Sequence, residues 1–411
     1  MIDYYETKVH PITKKMVLDA YKEIKGNGKA AGVDGVTLDE YAKNLPKNLY
    51  KLWNRMTSGS YFPALVREKQ IPKKGGGTRS LGICNVDDRI AQQVVRKRIE
   101  YKIDPTFHPD SYGYRPGRHA HHAIKMATSR CFKFNWVIDL DVKSFFDTID
   151  HELLMKAVAR YTNEKWVLMY IERWLKAGVL RENGTIETKE EGTLQGSVIS
   201  PLLANVFMHF VFDKWMEKNY PDIPFERYCD DVIVHCKSET QAMYIKRVIA
   251  ERMAACKLTL SQEKTKVVFC KNPNNKKEQT TKEVSFDFLG YSFRPRMVPT
   301  KNGILLLTLP TMSQKSKNKV MEKIRDMKLF KRPATLEVLA KQINERTRGW
   351  INYYGAFNKW GTRSVWLLLN KILFKWVKRQ REWNLRRAIK WMKGIYKNKP
   401  GIFEHWKIVH P

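Results

Sequence analysis

The chain is predicted to be α+β over its first 295 residues and all-helical beyond them. Two observations lead there. Short apolar runs of strand character alternate with segments of helical spacing up to about Pro295, and after Pro299 only helical spacing remains. Charge follows the same division. The 411 residues include 75 Lys or Arg against 42 Asp or Glu, a net charge of +33. From Arg296 onward there are 27 basic and 6 acidic residues, a net +21, against +12 for everything before. A surplus of this size repels itself in a folded chain and suits a polyanionic partner. With 43% of the residues apolar, a sizeable core can be buried and global disorder is excluded.

Residues 1–60 read as helical, with a break at Gly26–Gly35. Val66–Pro72 and Ser80–Cys84 read as two strands joined by the turn Lys73-Lys74-Gly75-Gly76-Gly77-Thr78. Asp88 to Ile103 has helical spacing through Ile90, Val94, Val95 and Ile99. Trp136–Val142 is a short apolar strand, and His151–Leu175 is again helical. Val198–Lys218 reads as one long apolar helix, with Pro201 near its start, where a missing N–H costs little. Phe225–Cys229 and Val232–Cys236 are short strands around Asp230-Asp231. Thr240–Met253 is helical, Lys266–Cys270 and Val284–Phe293 are strands, and the polar stretch Lys271–Lys282 is a loop between them. Basic helices are expected at Met312–Leu329, Ala334–Tyr353 and Val365–Lys390.

The turn Tyr228-Cys229-Asp230-Asp231 is the sharpest local feature. Two adjacent carboxylates between apolar strands are costly unless a cation sits beside them. Mg²⁺, held by one or two carboxylates and substrate phosphate, meets that demand. A second source of carboxylates is Val137-Ile138-Asp139-Leu140-Asp141-Val142, where alternation puts Asp139 and Asp141 on one strand face. Two metals bridged by such groups can activate a 3′-hydroxyl and stabilise a leaving pyrophosphate. Either element alone is equally well an ordinary acidic turn; together they favour metal-assisted phosphoryl transfer.

Seven of the twelve tryptophans lie from Trp350 to Trp406, among the basic helices. Basic side chains interleaved with aromatics suit phosphates and unstacked bases. The stretch from Asn370 carries Lys371, Lys375, Lys378, Arg379, Arg381, Arg386, Arg387 and Lys390 beside apolar residues, so a docked face with an outer basic face is expected. The six cysteines form no C-x-x-C pair and have no zinc-like histidine spacing. No run approaches the length of a membrane span, and MIDYYETKVH lacks the apolar stretch of a signal peptide. A reduced, cytoplasmic, nucleoid- or RNA-associated protein is the expectation, with no membrane partner.

Ordered motifs carry a family resemblance. Asp141-Val142-Lys143-Ser144-Phe145-Phe146-Asp147, the run Gly192 to Asn205 (GTLQGSVISPLLAN) and Tyr228-Cys229-Asp230-Asp231 resemble successive motifs of bacterial group II intron reverse transcriptase/maturases. Gly32-Val33-Asp34-Gly35, Ile71-Pro72-Lys73, Ser111-Tyr112-Gly113-Tyr114-Arg115-Pro116 and Phe288-Leu289-Gly290 match in order, and Gly349 to Gly355 (GWINYYG) resembles the maturase, or thumb, region.

The resemblance implies a right-hand polymerase, with fingers and palm followed by a helical thumb/maturase domain and a short basic helical tail. It implies that Asp141, the Val142 carbonyl and Asp230 are metal ligands, and that Asp231 completes the catalytic acidic set. Two Mg²⁺ ions, with Mn²⁺ as a substitute, are the implied cofactors. Lys73 and Arg79 would grip the dNTP triphosphate, with Gln195 and Gly196 lining the nucleotide pocket. Phe146 would exclude a 2′-hydroxyl, and Lys264 would protonate pyrophosphate. Phe288, Leu289 and Gly290 would hold the primer strand. Arg379, Arg381, Arg386 and Arg387 are the candidate nucleic-acid contacts of the tail. Intron RNA or another RNA template, a DNA primer or target, and dNTPs are the implied partners.

The chain departs from the family pattern at Cys229, where alanine is usual, and at Leu194 and Ser197, where Pro and Gly are usual. The expected domains are 1–60 as an N-terminal extension and start of the fingers, 61–295 as fingers and palm, 296–365 as thumb/maturase and 366–411 as a basic DNA-binding tail. No Cys/His nuclease domain is expected after His410-Pro411. The function implied is RNA-directed DNA synthesis with maturase binding of intron RNA. Two other readings stay open at this point: a domesticated relative in DNA repair or defence, and a non-catalytic RNA-binding splicing factor.

Overall fold

The computed structural model describes residues 9–26, 30–72, 78–270, 283–300, 303–329 and 334–411. From the N-terminus, helices α1 (Lys14–Ile24), α2 (Leu38–Lys43) and α3 (Leu45–Ser58) precede the strands β1 (Val66–Pro72) and β2 (Thr78–Ile83) and helix α4 (Val86–Ile103). Helix α5 (Ala120–Cys131) leads to strand β3 (Trp136–Asp141), followed by α6 (His151–Ala159) and α7 (Lys165–Leu175). The short strands β4 (Val179–Leu180) and β5 (Ile186–Glu187) come before α8 (Ser200–Met208), a π-helical turn (His209–Asp213) and α9 (Lys214–Asn219). Then come β6 (Phe225–Tyr228), β7 (Asp231–Cys236), α10 (Glu239–Ala255) and β8 (Lys266–Phe269). The strands β9 (Phe286–Phe288), β10 (Tyr291–Thr300) and β11 (Gly303–Met312) are followed by α11 (Gln314–Asp326), α12 (Leu336–Asn358), α13 (Arg363–Gln380) and α14 (Leu385–Asn398).

These elements divide into two compact units, one of Met1–His119, Leu140–Val232 and Met243–Thr265, the other of Ala120–Asp139, Ile233–Ala242 and Lys266–Pro411. In the first, α1 and α3 pack on α4, whose Ile90, Val94, Val95 and Ile99 are buried as their spacing predicts. Helix starts are set locally: Thr37 and Glu40 form a reciprocal capping box at α2, and the Thr13 hydroxyl caps α1. Strand β1 pairs antiparallel with β2 and parallel with β4, giving the order β2-β1-β4-β5. A four-stranded sheet has the order β6-β7-β3-β8, and its β3–β8 pairing, antiparallel from Trp136↔Phe269 to Asp139↔Lys266, belongs to the second unit.

The second unit differs most from expectation. The expected strand Val284–Phe293 is two strands: Phe288 pairs with Tyr291, and the two residues between them, Leu289 and Gly290, both have positive φ (50° and 80°). That is the geometry of a tight type I′ turn. Helical character was expected after Pro299, with the first helix at Met312–Leu329 and no element assigned before it, yet β11 lies there, paired along β10 from Tyr291↔Met312 to Thr300↔Gly303. The run Ile304-Leu305-Leu306-Leu307 is too short and too continuously apolar to distinguish strand from helix by period alone, and pairing with β10 decides it. The expected helix Val365–Lys390 is broken between α13 and α14, where Glu382 has φ 52° and the Asn384 side chain caps Arg387 N–H. The expected boundary at residue 365 falls inside α13. Met312, Val320, Ile324, Leu339 and Ile343 share one apolar core with Val365, Trp366, Trp376, Met392, Phe403, Trp406 and Val409. The expected turn at Lys73–Gly77 and the loop Lys271–Lys282 lie outside the described residues.

Asn370 ties the C-terminal segment into that core. Its side-chain oxygen accepts from His405 Nε2 (2.8 Å) and Trp406 Nε1 (3.1 Å), and its NH₂ donates to the His410 carbonyl (3.1 Å). All six cysteines are free and buried, three in each unit, and burial pushes the Cys84 and Cys236 thiols up to about 12. No helix among the described residues is long and apolar enough to cross a membrane.

Burial lowers His405 from 6.5 to about 3. The unfolded chain therefore takes up a proton below pH 6.5 that the folded chain refuses. Stability from this site is complete above pH 6.5 and is lost as pH falls toward 3, by about 1.4 kcal/mol per pH unit. In urea titrations His405→Gln, which still donates to Asn370, should lose less stability than wild type between pH 6.5 and pH 4. Parallel losses would show that another group carries the acid sensitivity.

Candidate active site

Asp141 ends β3, and Asp230 lies in the tight turn between β6 and β7. The Asp141 backbone is fixed from both sides: its N–H donates to Thr265 Oγ1 (3.3 Å) and its carbonyl accepts from Ser261 N–H (2.8 Å). Next to it Val142, the expected carbonyl ligand, bridges to Leu260. Burial lifts the Asp230 carboxyl above the usual carboxylate range. Its own backbone N–H and Cys229 oppose that shift; the negative charge of Asp141 adds to it, and Arg79 opposes it. The structure thus brings together the two carboxylates singled out in sequence, with Arg79 facing them. Asp231 opens β7 and is half-buried. Lys264 Nζ lies 3.4 Å from Asp141 Oδ2 on an exposed side chain, a cation beside the first carboxylate.

The turn is held by a buried network. Arg227 is fully buried, and its guanidinium grips Asp213 with two bonds, Nε to Oδ1 at 2.7 Å and Nη2 to Oδ2 at 2.6 Å. Its Nη1 donates to Asn205 Oδ1 (3.0 Å) and to the Cys229 carbonyl (3.1 Å). Asn205 in turn donates to the Gly113 carbonyl (2.7 Å). Burial alone would raise the Asp213 carboxyl, but Arg227 and His209 override it and hold it low. Cys229 adopts φ 63°, a left-handed conformation disfavoured for a side-chain residue. Gly113 packs so closely that a Cβ would lie 2.6 Å from Cys229 N. Arg227, Asp213 and Gly113 carry roles that the motifs did not assign. The available signal was an arginine inside the short strand Phe225–Tyr228, which required a buried partner.

Across from the carboxylates, Arg79 Nε donates to Gln195 Oε1, and Gly82 N–H donates to the Gln195 carbonyl (2.7 Å). Gly196 has φ 105°, and a Cβ there would lie 2.6 Å from the Gly82 carbonyl, so glycine is required for this approach. Gln92 steadies the same loop, accepting from Ser197 Oγ (2.8 Å) and Val198 N–H (2.9 Å). Phe146 is buried, edge-on to Phe145, and its carbonyl accepts from Thr193 N–H (2.6 Å). Lys73 lies outside the described residues.

In the second unit, Tyr353 OH donates to the Leu289 carbonyl (2.8 Å), and the Gly290 carbonyl accepts from Ser313 N–H and Ser316 Oγ, both at 3.0 Å. The Gly349–Gly355 motif is thus bonded to the Phe288-Leu289-Gly290 turn. Of the four tail arginines, all exposed, Arg381 lies over the Trp383 and Trp391 rings (4.9 and 4.5 Å) and Arg387 over Trp383 (4.4 Å). These two brace the break between α13 and α14.

Residues 71–293, more than half of the chain, match the family model of the reverse transcriptase (RNA-dependent DNA polymerase). The chain belongs to the reverse transcriptase family. Residues 317–394 of this reverse transcriptase match the maturase-specific domain of group II introns. It is 38% identical to protein YkfC of Escherichia coli over 46% of this chain and 50% of that one. It is 34% identical to the group II intron-encoded protein LtrA of Lactococcus lactis over 46% of this chain and 32% of that one. The matched segments thus span half or less of these curated relatives. A telomerase structure from Candida albicans, with a fragment of telomeric RNA, overlays at a TM-score of 0.46 with 12% identity, across 91% of this chain and 68% of that one, too loosely to bear on function.

Reverse transcriptases use divalent metal ions, and the donors here fit one. Among the described residues no three His, Cys, Asp or Glu side chains cluster closely enough to hold a metal alone. Mg²⁺ needs only one or two carboxylates when substrate phosphates supply the remaining oxygens, and the destabilised Asp230 carboxylate, buried and beside the charge of Asp141, is what a cation there would relieve.

Replacing Arg227 by Met leaves the Asp213 charge buried and unpaired, which should cost about 3–5 kcal/mol. Arg227→Met/Asp213→Leu should recover most of that loss. Urea unfolding of both variants checks it; a double variant no more stable than the single would show that the pair does not govern stability.

Proposed function

We propose that this chain carries out RNA-templated DNA synthesis and that its helical unit binds structured intron RNA as a maturase. The observation that carries the polymerase reading is the convergence of Asp141 and Asp230 beside Arg79 and Gln195. Two Mg²⁺ ions, or Mn²⁺ in their place, would be held by Asp141, the Val142 carbonyl and Asp230, and would supply activation of the primer 3′-hydroxyl and neutralisation of pyrophosphate. Asp231 completes the acidic set. Arg79, with Lys73, grips the triphosphate by charge-assisted hydrogen bonds. Its bond to Gln195 in the free chain keeps the guanidinium directed at the nucleotide pocket. Gly196 lets the nucleotide approach the backbone, and Lys264 Nζ delivers a proton to the leaving pyrophosphate. Phe288-Leu289-Gly290 holds the primer strand. Arg379 and Arg386 project from the tail as phosphate contacts, joined by the outer edges of Arg381 and Arg387. Template RNA, a DNA primer or target and dNTPs are the partners this assignment requires. The intact acidic pair favours a working polymerase over a splicing factor with no catalysis.

Asp230→Asn keeps size and hydrogen bonding while deleting a charge. Primer extension on an RNA template should fall by several orders of magnitude, with RNA affinity little changed. Near-normal extension by this variant would remove Asp230 from catalysis.

If Phe146 packs against the sugar's 2′ position, Phe146→Val should raise the ratio of NTP to dNTP incorporation. An unmoved ratio in the folded variant would leave Phe146 as a plain core residue.

A further inference from the structure

The second unit contains an open groove of about 640 Å³ beside β10, lined by Arg294 and Arg296 with Ser285 and Asn358. Arg294 and Arg296 are two residues apart and share a strand face. Arg296 Nη2 donates to Thr311 Oγ1 (2.6 Å), but its Nε is buried with no hydrogen-bond partner among the described residues. Asn358 has its amide oxygen occupied by Gly361 N–H (3.0 Å), so its NH₂ is the group left to present. Lys317, near the start of α11, feels both guanidiniums: burial, then Arg296, then Arg294, lower its ammonium. Burial, then Arg294, likewise lower Arg296. None of the three cations has an ion pair among the described residues. The acidic neighbour on this sheet is Asp287, whose register partner is Ser292; it interacts with the Ser292 hydroxyl and with Lys315.

Two guanidiniums on the groove wall, the nearby ammonium of Lys317 on α11 and an orphaned guanidinium N–H call for an oxyanion that accepts several hydrogen bonds at once. We propose that Arg294, Arg296 and Lys317 form a binding site for the phosphodiester backbone of a nucleic-acid strand. The proposal rests on the polymerase reading. A backbone is favoured over free phosphate because the groove is open to solvent, and because β10, which carries both arginines, begins at Tyr291 directly after the Leu289-Gly290 turn. Lys317 lies one residue beyond Ser316, whose hydroxyl is bonded to Gly290, so the site and that turn are built on the same short stretch of α11. The mutual repulsion of the three cations is a strain in the free protein that a bound backbone removes.

The test uses the full-length chain and a short, labelled RNA–DNA heteroduplex with a recessed 3′ end, titrated over a series of salt concentrations. Arg294→Gln/Arg296→Gln should bind more weakly and with a shallower salt slope, by roughly 0.7–0.9 log units per lost phosphate contact. The free variant should melt at a higher temperature than wild type in low salt, because like charges have been removed; a merely structural role for these arginines would lower it. Lys317→Gln, on a helix surface, should reduce the slope by about one contact and carries the test if the double variant fails to fold. Unchanged affinity and slope in the folded variants overturn the proposal. So does an inorganic phosphate titration that stabilises wild type but not the variants while the duplex slope is unchanged, since the site would then serve free phosphate. Both outcomes are read by binding alone, so they are separate from failure of the polymerase reading, which is decided by extension with Asp230→Asn.

Discussion

The turn that presents Asp230 depends on a guanidinium with no access to water. Arg227 is buried beneath it and bonded to Asp213, Asn205 and the Cys229 carbonyl. Burying an arginine is unfavourable unless its charge and its N–H groups are met together, and here both are. Asp213 takes the charge, and the remaining donors fix the backbone whose left-handed residue would otherwise relax. Asp213 comes from the π-helical turn between α8 and α9, where an extra residue per turn alters which side chains face inward. His209, at the other end of that turn, lies 3.5 Å from Asp213. The helix irregularity, the ion pair and the carboxylate turn are consequences of one another, and the site's geometry is a property of the core beneath it.

A comparable economy holds in the second unit, where the two-residue turn Leu289-Gly290 has both carbonyls satisfied by groups from α11, its cap and α12. A type I′ turn exposes its backbone to whatever approaches it. Fixing it by Tyr353 and Ser316 means that the maturase-like segment sets the posture of this turn. The aromatic packing of Tyr291 with Tyr353 and Tyr354 strengthens that link.

What was legible in the sequence was the chemistry rather than the scaffold. Asp141 and Asp230 could be picked out because acidic residues beside short apolar strands are locally unusual, whereas Gln195 and Gly196 came from the family resemblance; in the structure Arg79 bonds to Gln195 and acts on Asp230. Arg227 was missed because its partners are 14 and 22 residues away, and separation in sequence carries no contact information. The β10–β11 hairpin was missed because an apolar run of that length fits strand and helix equally until a partner is known. The α13–α14 break was missed because its cause is non-periodic: a single left-handed residue, a capping asparagine and arginines stacked on indoles. Charge composition describes the surface and carries no word of the core, where Trp366, Trp376 and Trp406 pack inward with α11 and α12.

The placement of the six cysteines has a practical consequence. A thiol reacts as its thiolate, and these groups are buried, with those of Cys84 and Cys236 held protonated to about pH 12. A labelling reagent added to the folded enzyme meets no ready nucleophile, so a cysteine introduced on the surface becomes the sole attachment point for a fluorophore or spin label. With three native thiols in each unit, the same chemistry run under mild denaturant, and read peptide by peptide, times the opening of each unit separately.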